Sequence, residues 1–165
     1  MATDPEAPNV HFREINIFNL RDVLALHVTE AQSDFVASVP DSIAEAEVTP
    51  DGMPWYRALY AGDTPVGFVM ISDNIPPGNP ELVGPYYLWR LLIDVEHQGR
   101  GYGTRALDLT AEYVRTRPNG TELYTSAVEE PRSPLPFYLK YGFEKTDRFA
   151  EEERVLRLTL QGNDS

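Results

Sequence analysis

The sequence predicts a single α/β domain in which strands and helices are mixed and several neighbouring strands run antiparallel. Three observations lead to this fold class. The chain has 165 residues, which is within the usual size of one domain. It shows neither an internal repeat nor a linker. Segments with strand periodicity follow segments with helical periodicity, and one buried strand runs through a glycine-rich turn directly into a helix.

The first part of the domain is predicted to contain one strand and two helices. Residues Val10–Ile17 alternate between apolar and polar side chains, as in a half-buried strand. Asn19 fits the N-cap of a helix over residues 20–30, where apolar side chains recur near helical spacing. Ser42 fits the N-cap of a second, short helix, because Glu45 follows three residues later.

The middle of the domain is predicted to contain a hairpin, a loop, a strand and a helix. Trp55–Tyr60 and Pro65–Ser72 are typical of two hairpin strands around a tight turn. Asp73–Pro85 is rich in proline and is therefore a loop. Tyr86–Val95 is almost continuously apolar, as expected of a strand buried on both faces. Thr104–Arg117 has helical periodicity after a glycine-rich turn.

The last part is predicted to contain a strand, a short helix and two closing strands. Glu122–Val128 is typical of a strand. Ser133 fits the N-cap of the helix, Pro134 its first position and Gly142 the position after its end. The two closing strands are predicted at Phe143–Phe149 and Arg154–Leu160.

The domain is expected to occupy residues 10–160. Residues 1–9 are expected to form a flexible N-terminus and residues 161–165 a polar tail. The first nine residues are acidic and proline-rich and lack the apolar core of a signal peptide. We therefore expect a cytoplasmic protein.

Composition excludes several classes of function. The chain contains no cysteine, so disulfides, thiolate zinc sites and cysteine nucleophiles are absent. It contains three histidines, which makes a histidine-built metal site an unfavourable interpretation, and we expect no metal. The formal net charge is −12, which disfavours binding to nucleic acid. No apolar run is as long as the roughly 18–20 residues of a membrane span, so no membrane partner is expected.

Charge is distributed unevenly along the chain. Residues 22–56 contain seven acidic residues and neither lysine nor arginine. This block is either a solvated acidic face or a field that attracts a cationic ligand. Residues 98–117 contain four arginines against two acidic residues, which suits an anionic ligand.

The most informative segment is the glycine-rich turn Gln98–Gly103, QGRGYG, between a buried strand and a helix. Glycines at alternate positions allow backbone N–H groups to converge closely on a ligand. The helix N-terminus adds partial positive charge, so the turn suits a diphosphate. The turn is neither a P-loop, which requires Gly-Lys-Ser/Thr, nor the G-x-G-x-x-G dinucleotide fingerprint. The alternative is a connector without a ligand.

Two motifs carry a resemblance to a known family. Gln98–Gly103 resembles the (Gln/Arg)-x-x-Gly-x-Gly/Ala signature of the GNAT superfamily of N-acetyltransferases. Phe137–Phe143, FYLKYGF, resembles the second hallmark of that family, an aromatic-Tyr-x-Lys-x-Gly-Phe run. Four further segments resemble the bacterial spermine/spermidine acetyltransferase branch: Thr29–Gln32, Ser42–Ala46, Val66–Met70 and Tyr87–Ile93. The resemblance implies a GNAT domain over residues 10–160, with a mixed, mostly antiparallel sheet of roughly six or seven strands flanked by about four helices.

The resemblance implies acetyl-CoA as the co-substrate. The backbone of Leu91, Leu92 and Ile93 would then hold the pantetheine arm as an added strand. Backbone N–H groups of the turn would hold the pyrophosphate, from Gly99, Arg100, Gly101, Tyr102, Gly103 and Thr104. The side chains of Arg100 and Arg105 either contact phosphates or are solvated.

One position departs from the cofactor pattern of the family. Many members carry an asparagine seven residues before the hallmark tyrosine, where this chain has Pro131. Ser133 or Arg132 is expected to supply the missing contact.

The resemblance places Tyr138 as the general acid that protonates the departing thiolate. A phenol with a pKa near 10 can donate to a desolvated thiolate, whose own conjugate acid has a pKa near 8.5. The alternative is that Tyr138 is a packed aromatic residue on a short helix. The oxyanion is expected to meet a backbone N–H near Ile93 or Asp94.

The sequence does not identify a single residue as the general base. Some polyamine acetyltransferases use a glutamate on the central strand, but the matching position here is Trp89, followed by Arg90. Glu30, Asp34 and Asp94 are candidates for binding the acceptor or for moving its proton through water.

The acceptor is expected to be a small cationic amine, for which the acidic block favours a polyamine such as spermidine or spermine. Alternative acceptors are an aminoglycoside-like antibiotic, an amino acid and a protein N-terminus. A different class of function is a non-catalytic sensor that binds acyl-CoA, against which the retention of Tyr138 argues. A homodimer is expected from the resemblance alone.

Overall fold

The computed structural model of the protein describes residues 9–160. Within these residues it contains seven strands and four α-helices. Their order is β1 (Val10–Arg13), α1 (Leu20–Leu24), α2 (Val39–Val48), β2 (Pro54–Ala61), β3 (Thr64–Asp73), β4 (Tyr86–Ile93), α3 (Tyr102–Arg115), β5 (Glu122–Ala127), α4 (Leu135–Tyr141), β6 (Glu144–Ala150) and β7 (Glu153–Thr159). The expected N-terminal segment, except Asn9, and the expected polar tail lie outside the described residues.

The strands form one sheet in the order β1-β2-β3-β4-β5-β7-β6. All neighbouring strands are antiparallel except β4 and β5, which are parallel. This confirms the predicted single α/β domain with a mixed, mostly antiparallel sheet. Among the helices of residues 9–160, none is long and apolar enough to cross a membrane.

Strands β4 and β5 diverge soon after they meet. Their registered pairing is at one position, Tyr87 opposite Tyr124. On the other side of β4, the register with β3 shifts where Met70 pairs with Arg90 and Ile71 with Leu88, so Trp89 is the extra residue of a bulge. Because a bulge bends and twists its strand, the end of β4 can leave β5, and the space between them becomes available for a ligand.

Apolar residues fill both faces of the sheet. On one face, α3 and α4 cover a core that includes the fully buried Leu107 and Leu123. On the other, α1 and α2 cover a smaller core that includes Phe68 and Leu92. The strand predicted from its continuous apolar run is therefore buried on both faces, as expected of a central strand.

The first strand and first helix are shorter than predicted. Strand β1 ends at Arg13, because the side chains of Asn16 and Asn19 accept hydrogen bonds from nearby backbone N–H groups and form a turn. Helix α1 ends at Leu24. Beyond it, the backbone of His27 binds the Asp94 carboxylate and the Val95 N–H. This tertiary contact draws the chain out of the helix predicted to continue to residue 30.

Two helix starts also differ from the prediction. Ser38, not Ser42, caps α2, and its hydroxyl accepts from the backbone N–H of Asp41 at 3.1 Å. Ser42 is buried within the helix and donates back to the Ser38 carbonyl. At α4, Pro134 occupies the N-cap position rather than the first helical position. Ser133 still accepts from the Leu135 N–H, so its hydroxyl caps the helix from one residue earlier.

The remaining element boundaries agree with the prediction within a few residues. Strand β4 ends at Ile93 rather than Val95, because a 3₁₀ turn begins there. Helix α3 begins at Tyr102, two residues before the predicted start, since the glycine turn itself leads into the first helical turn. Gly142 follows α4 with a φ of 130°, as predicted for the residue after that helix.

Candidate active site

The divergence of β4 and β5 opens a cavity of about 490 Å³. Its walls come from residues 28–36, from β4, from the glycine turn, from β5 and from the start of α4. These segments are far apart in the sequence, and the sheet brings them to one opening. The cavity volume is within the usual range for a small-molecule or cofactor site.

The glycine turn exposes backbone donors at one end of the cavity. Gly99 and Gly101 have φ angles of 79° and 82°, which side-chain-bearing residues rarely adopt. Helix α3 starts directly after them, and no side chain caps its N-terminus. Its first turn carries no acidic residue. The uncapped N–H groups and the helix dipole therefore fit a diphosphate anion.

The third glycine of the turn has a different reason. A Cβ at Gly103 would lie 3.2 Å from the ring of Phe137, so the ring would have to shift by a few tenths of an ångström. Gly103 thus permits the close contact between the start of α3 and the Phe137 ring of α4.

Most of the predicted cofactor residues lie at the cavity. The lining includes eight of them: Leu91, Ile93, Gly99, Gly101, Tyr102, Gly103, Thr104 and Ser133. Leu92 points to the opposite face of β4, where it packs against the core beneath α1 and α2. The side chain of Arg100 is exposed and lies outside the lining. The hydroxyl of Ser133 is engaged internally, because it donates to the Val128 carbonyl while it caps α4.

Tyr138 lies in the wall of the cavity with 6% of its surface exposed. Its ring packs edge-on against Phe143, with 5.4 Å between the ring centroids. Burial raises the pKa of Tyr138 well above 10, and a hydrogen bond with Thr125 opposes that shift only in part. The phenol is therefore protonated at neutral pH, and it lies in the wall of the cavity.

Asp94 lies beside the turn but outside the cavity lining. It is 4% exposed and accepts hydrogen bonds from the backbone N–H of His27, the ring of His97 and the backbone N–H of Glu96. Burial favours protonation, but these three bonds outweigh it and lower the pKa of Asp94. Its own N–H donates to the Val66 carbonyl at 2.8 Å, so this N–H, one of the expected oxyanion donors, is already occupied.

The other predicted acidic residues lie on the rim. Glu30 and Asp34 are exposed and do not line the cavity, although Val28, Gln32 and Phe35 of the same segment do. This segment is tied to the glycine turn by hydrogen bonds between the side-chain amides of Gln32 and Gln98.

The central strand carries an ion pair close to the cavity. Glu45, from α2, accepts from Arg90 at 2.5 Å and from the indole N–H of Trp89 at 3.1 Å. These two residues of β4 thereby fix the orientation of the Glu45 carboxylate. Arg90 Nε is buried and has no hydrogen-bond partner within the described residues.

Sequence reasoning missed three polar residues in the cavity wall. Tyr87 shares a hydrogen bond of 2.5 Å with Ser126, and Ser126 donates to Glu153 at 2.6 Å. Tyr87 and Ser126 sit where β4 and β5 meet, and Glu153 begins β7. Glu153 is the third of three consecutive glutamates, which as a sequence indicate only an exposed turn. No local signal could have singled it out.

His97 was also missed. It lines the cavity, and its Nδ1 lies 3.0 Å from an Asp94 oxygen. No group of three or more histidine or acidic side chains within residues 9–160 is arranged to hold a metal ion.

Comparison with solved structures shows the fold. An acetyltransferase from Thermus thermophilus has 21% sequence identity and a TM-score of 0.65, covering 92% of this chain and 97% of the other. The aminoglycoside acetyltransferase AAC(6')-Ib, in complex with coenzyme A and kanamycin, has 17% identity and a TM-score of 0.69, covering 92% and 95%. A ribosomal-protein alanine N-acetyltransferase from Escherichia coli has 11% identity and a TM-score of 0.61, covering 95% and 99%.

At these identities the structural similarity establishes the architecture and leaves the acceptor open. A search of curated proteins finds no match to the chain. The family model for acetyltransferases of the GNAT family matches residues 20–143, which is most of the domain. The chain therefore belongs to the GNAT acetyltransferase family.

Proposed function

We propose that this acetyltransferase uses acetyl-CoA to acetylate a primary amine of a small cationic acceptor, with Tyr138 as the general acid. The observation that carries the proposal is the position of Tyr138. Its buried phenol lies in the wall of the same cavity that the glycine turn and the uncapped start of α3 line. One end of the cavity thus suits an anionic cofactor, and its wall offers a proton to a leaving group.

The residues at the cavity fit coenzyme A in two respects. The uncapped N-terminus of α3, from Tyr102 to Thr104, matches the pyrophosphate. The part of β4 that has left β5, including Leu91 and Ile93, has backbone groups to which an extended pantetheine arm can add as a strand. When bound, the cofactor supplies the acetyl group as a thioester.

The chemistry assigned to Tyr138 follows from its environment. As the thioester breaks, negative charge develops on sulfur, and the Tyr138 hydroxyl donates its proton there. Because burial raises its pKa, Tyr138 does not lose the proton to solvent before the reaction needs it.

A polyamine is the acceptor class that we propose. Glu30 and Asp34 flank the rim residue Gln32, so a second or third ammonium group could remain outside the cavity and face these carboxylates. The exposed carboxylates contribute little individually, but several acting on one polycation favour it over an amine with one charge. The resemblance to the spermine/spermidine branch supports the same class.

An aminoglycoside is the second candidate acceptor. It is also a polycation, and the similar AAC(6')-Ib structure contains kanamycin. The fold is shared, but the 17% identity does not extend that acceptor to this chain. A polyamine and an aminoglycoside would both bind the carboxylates at the rim, so these carboxylates do not distinguish the two acceptor classes.

The test is a thiol-release assay with acetyl-CoA and a panel of spermidine, spermine, kanamycin, alanine amide and a peptide that begins with alanine. We expect thiol release that depends on the amine and is fastest with spermidine or spermine. If kanamycin is the only amine of the panel that gives thiol release, the acceptor class is an aminoglycoside and not a polyamine. Acetyl-CoA binding without release for any amine would instead identify a sensor that binds acyl-CoA.

A further inference from the structure

Glu153 is the one acidic side chain in the cavity lining of the described residues. It enters the wall from the start of β7, which pairs with β5, and it contacts Ser126 of β5. Its side chain also raises the pKa of Tyr138 through charge repulsion, which is consistent with a position close to the proposed general acid. Glu153 and Tyr138 thus line the same cavity, in which the proposed acceptor and thioester would meet.

The neighbours of Glu153 fix its orientation. Ser126 donates to Oε1 of Glu153 at 2.6 Å, and Ser126 in turn shares a hydrogen bond of 2.5 Å with the Tyr87 hydroxyl. The second oxygen, Oε2, makes no hydrogen bond within residues 9–160. One oxygen is therefore held by the protein, while the other is available to an ammonium group that enters the cavity.

The other candidate carboxylates are less suitable. Asp94 is buried outside the lining, and three protein hydrogen bonds occupy it. Glu45 is paired with Arg90 and Trp89. Glu30 and Asp34 are exposed on the rim. Each of these four residues lacks either access to the cavity or a free oxygen, and Glu153 has both.

We propose that Glu153 binds the acceptor ammonium group and accepts its proton, with Ser126 and Tyr87 as positioning residues. This inference rests on the proposed function. One N–H bond of the ammonium breaks, its electron pair stays on nitrogen, and the proton moves to Oε2 of Glu153. The freed electron pair attacks the acetyl carbon. Partly exposed Glu153 then returns its proton to water.

The proton balance closes with Tyr138. The attacking nitrogen begins as an ammonium with three hydrogens and ends as an amide with one. Of the two protons lost, one passes to Glu153. The other restores the hydroxyl of Tyr138 after Tyr138 has protonated the leaving sulfur. No further reactant is required.

The experiment is the pH profile of kcat/KM for Glu153→Gln, measured with the fastest amine of the panel. With a carboxylate that accepts the proton, kcat/KM of the wild type should stay constant from pH 7 up to the pKa of the amine. Without it, only amine already neutral in solution reacts. The variant should therefore lose about 100-fold at pH 7. Its kcat/KM should then rise about tenfold per pH unit up to the pKa of the amine.

Three variants serve as controls. Glu152→Gln removes the same charge from the exposed neighbouring residue and should keep the wild-type profile. Glu153→Asp should restore the flat region of the profile at reduced rate. Ser126→Ala should lower kcat about three- to tenfold and keep the flat region, because Glu153 stays but loses its held orientation. Thermal stabilisation by acetyl-CoA in each variant reports that the fold and the donor site are intact.

The outcomes separate this inference from the function on which it rests. A Glu153→Gln profile parallel to that of the wild type, whatever its height, overturns the role of Glu153 and leaves the acetyltransferase assignment standing. Absence of acetylation by the wild type with every amine of the panel overturns both. A Glu153→Gln profile in which kcat/KM rises about tenfold per pH unit supports both the role of Glu153 and the proposed function.

Discussion

Tyr138 illustrates how burial changes the acidity of a single side chain. A phenol in water would ionise near pH 10, and a buried phenol resists ionisation because its anion loses solvation. The packing of Phe137 and Phe143 around the ring supplies that burial. The same aromatic contacts that make the residue look like core therefore keep its hydroxyl protonated, as the proposed role of Tyr138 requires.

Tyr138→Phe keeps the ring and removes the proton. We expect kcat to fall about 10²- to 10⁴-fold, the usual contribution of a general acid, with little change in affinity for acetyl-CoA. Thiol release and thermal shift measure the two quantities separately. Since the pKa of Tyr138 is raised, kcat of the wild type should not decline from loss of this proton below pH 10. Unchanged turnover in Tyr138→Phe would mean that water protonates the sulfur.

Asp94 has a structural role that its position in the sequence does not suggest. It ties residue 27 to the turn after β4 through the His27 N–H, and it orients the ring of His97 at the cavity wall. Because its pKa is lowered in the folded protein, its ionised form stabilises the fold above the unfolded pKa. That contribution is lost as the pH falls through the folded pKa.

Asp94→Ala is expected to lower the free energy of unfolding by about 2 kcal/mol or more at pH 7, since it leaves buried donors without an acceptor. Urea denaturation at pH 7 and at pH 3 measures it, and the difference from the wild type should shrink at pH 3. Asp63→Ala is the matched control, because Asp63 is fully exposed and pairs only with Arg13 among the described residues. A change below 1 kcal/mol is expected there.

At the scale of elements, the junction of β4 and α3 supplies the backbone of the proposed acetyl-CoA site. The two glycines with positive φ form the turn that leads into α3, and the first residues of α3 line the cavity. No side chain occupies those donors, and no acidic residue repels an anion in the first turn. The site therefore depends on conformation, which makes it sensitive to any side chain at Gly101.

Gly101→Glu is expected to abolish the thermal stabilisation that acetyl-CoA gives to the wild type. The substitution strains a backbone with a φ of 82° and adds a negative charge where phosphates would bind. Gly78→Glu is the control, because Gly78 also has a positive φ, 114°, and lies in the loop between β3 and β4 outside the cavity lining. The Gly78→Glu variant should be less stable than the wild type, but acetyl-CoA should still raise its melting temperature. Equal shifts in both variants would contradict the assignment of the turn.

At the scale of the whole molecule, the net charge of −12 is unevenly distributed along the chain. Arg100 and Arg105 lie on and just after the glycine turn, whereas Glu30 and Asp34 lie on the segment around Gln32. The turn therefore suits the proposed anionic donor, and the rim carboxylates suit the proposed cationic acceptor.

The acceptor prediction belongs to this scale. Glu30→Gln combined with Asp34→Asn should raise KM for spermidine more than for a mono-amine, because only the polycation reaches beyond the cavity to the rim. Glu47→Gln, also exposed in the acidic block but on α2 and not in the rim segment around Gln32, should change neither. The preference for spermidine should weaken at 1 M salt, where the Debye length falls from about 10 Å to about 3 Å. Equal kcat/KM values for spermidine and for mono-amines at low salt would contradict the proposal that the acceptor is a polyamine.

Much of this protein is determined by local sequence. Strand β4, the hairpin of β2 and β3, the glycine turn and α3 follow from periodicity and from glycine, whose conformational preferences act within a few residues. The family follows from the same turn and from the segment around Tyr138. These features could be predicted because each depends on residues that are adjacent in the chain.

Tertiary structure decided the rest of the site. The end of α1 is determined by an aspartate 67 residues away, which binds the His27 N–H in place of a helical carbonyl. Ser126 and Glu153 are 27 residues apart, and Tyr87 lies on a third strand, so their contact depends on the strand order β4-β5-β7. Strand order arises from the packing of the whole sheet, which no local pattern encodes. For this reason the proposed acetyl-CoA site could be predicted from the sequence, whereas the position of Glu153 in the cavity wall is evident only in the folded chain.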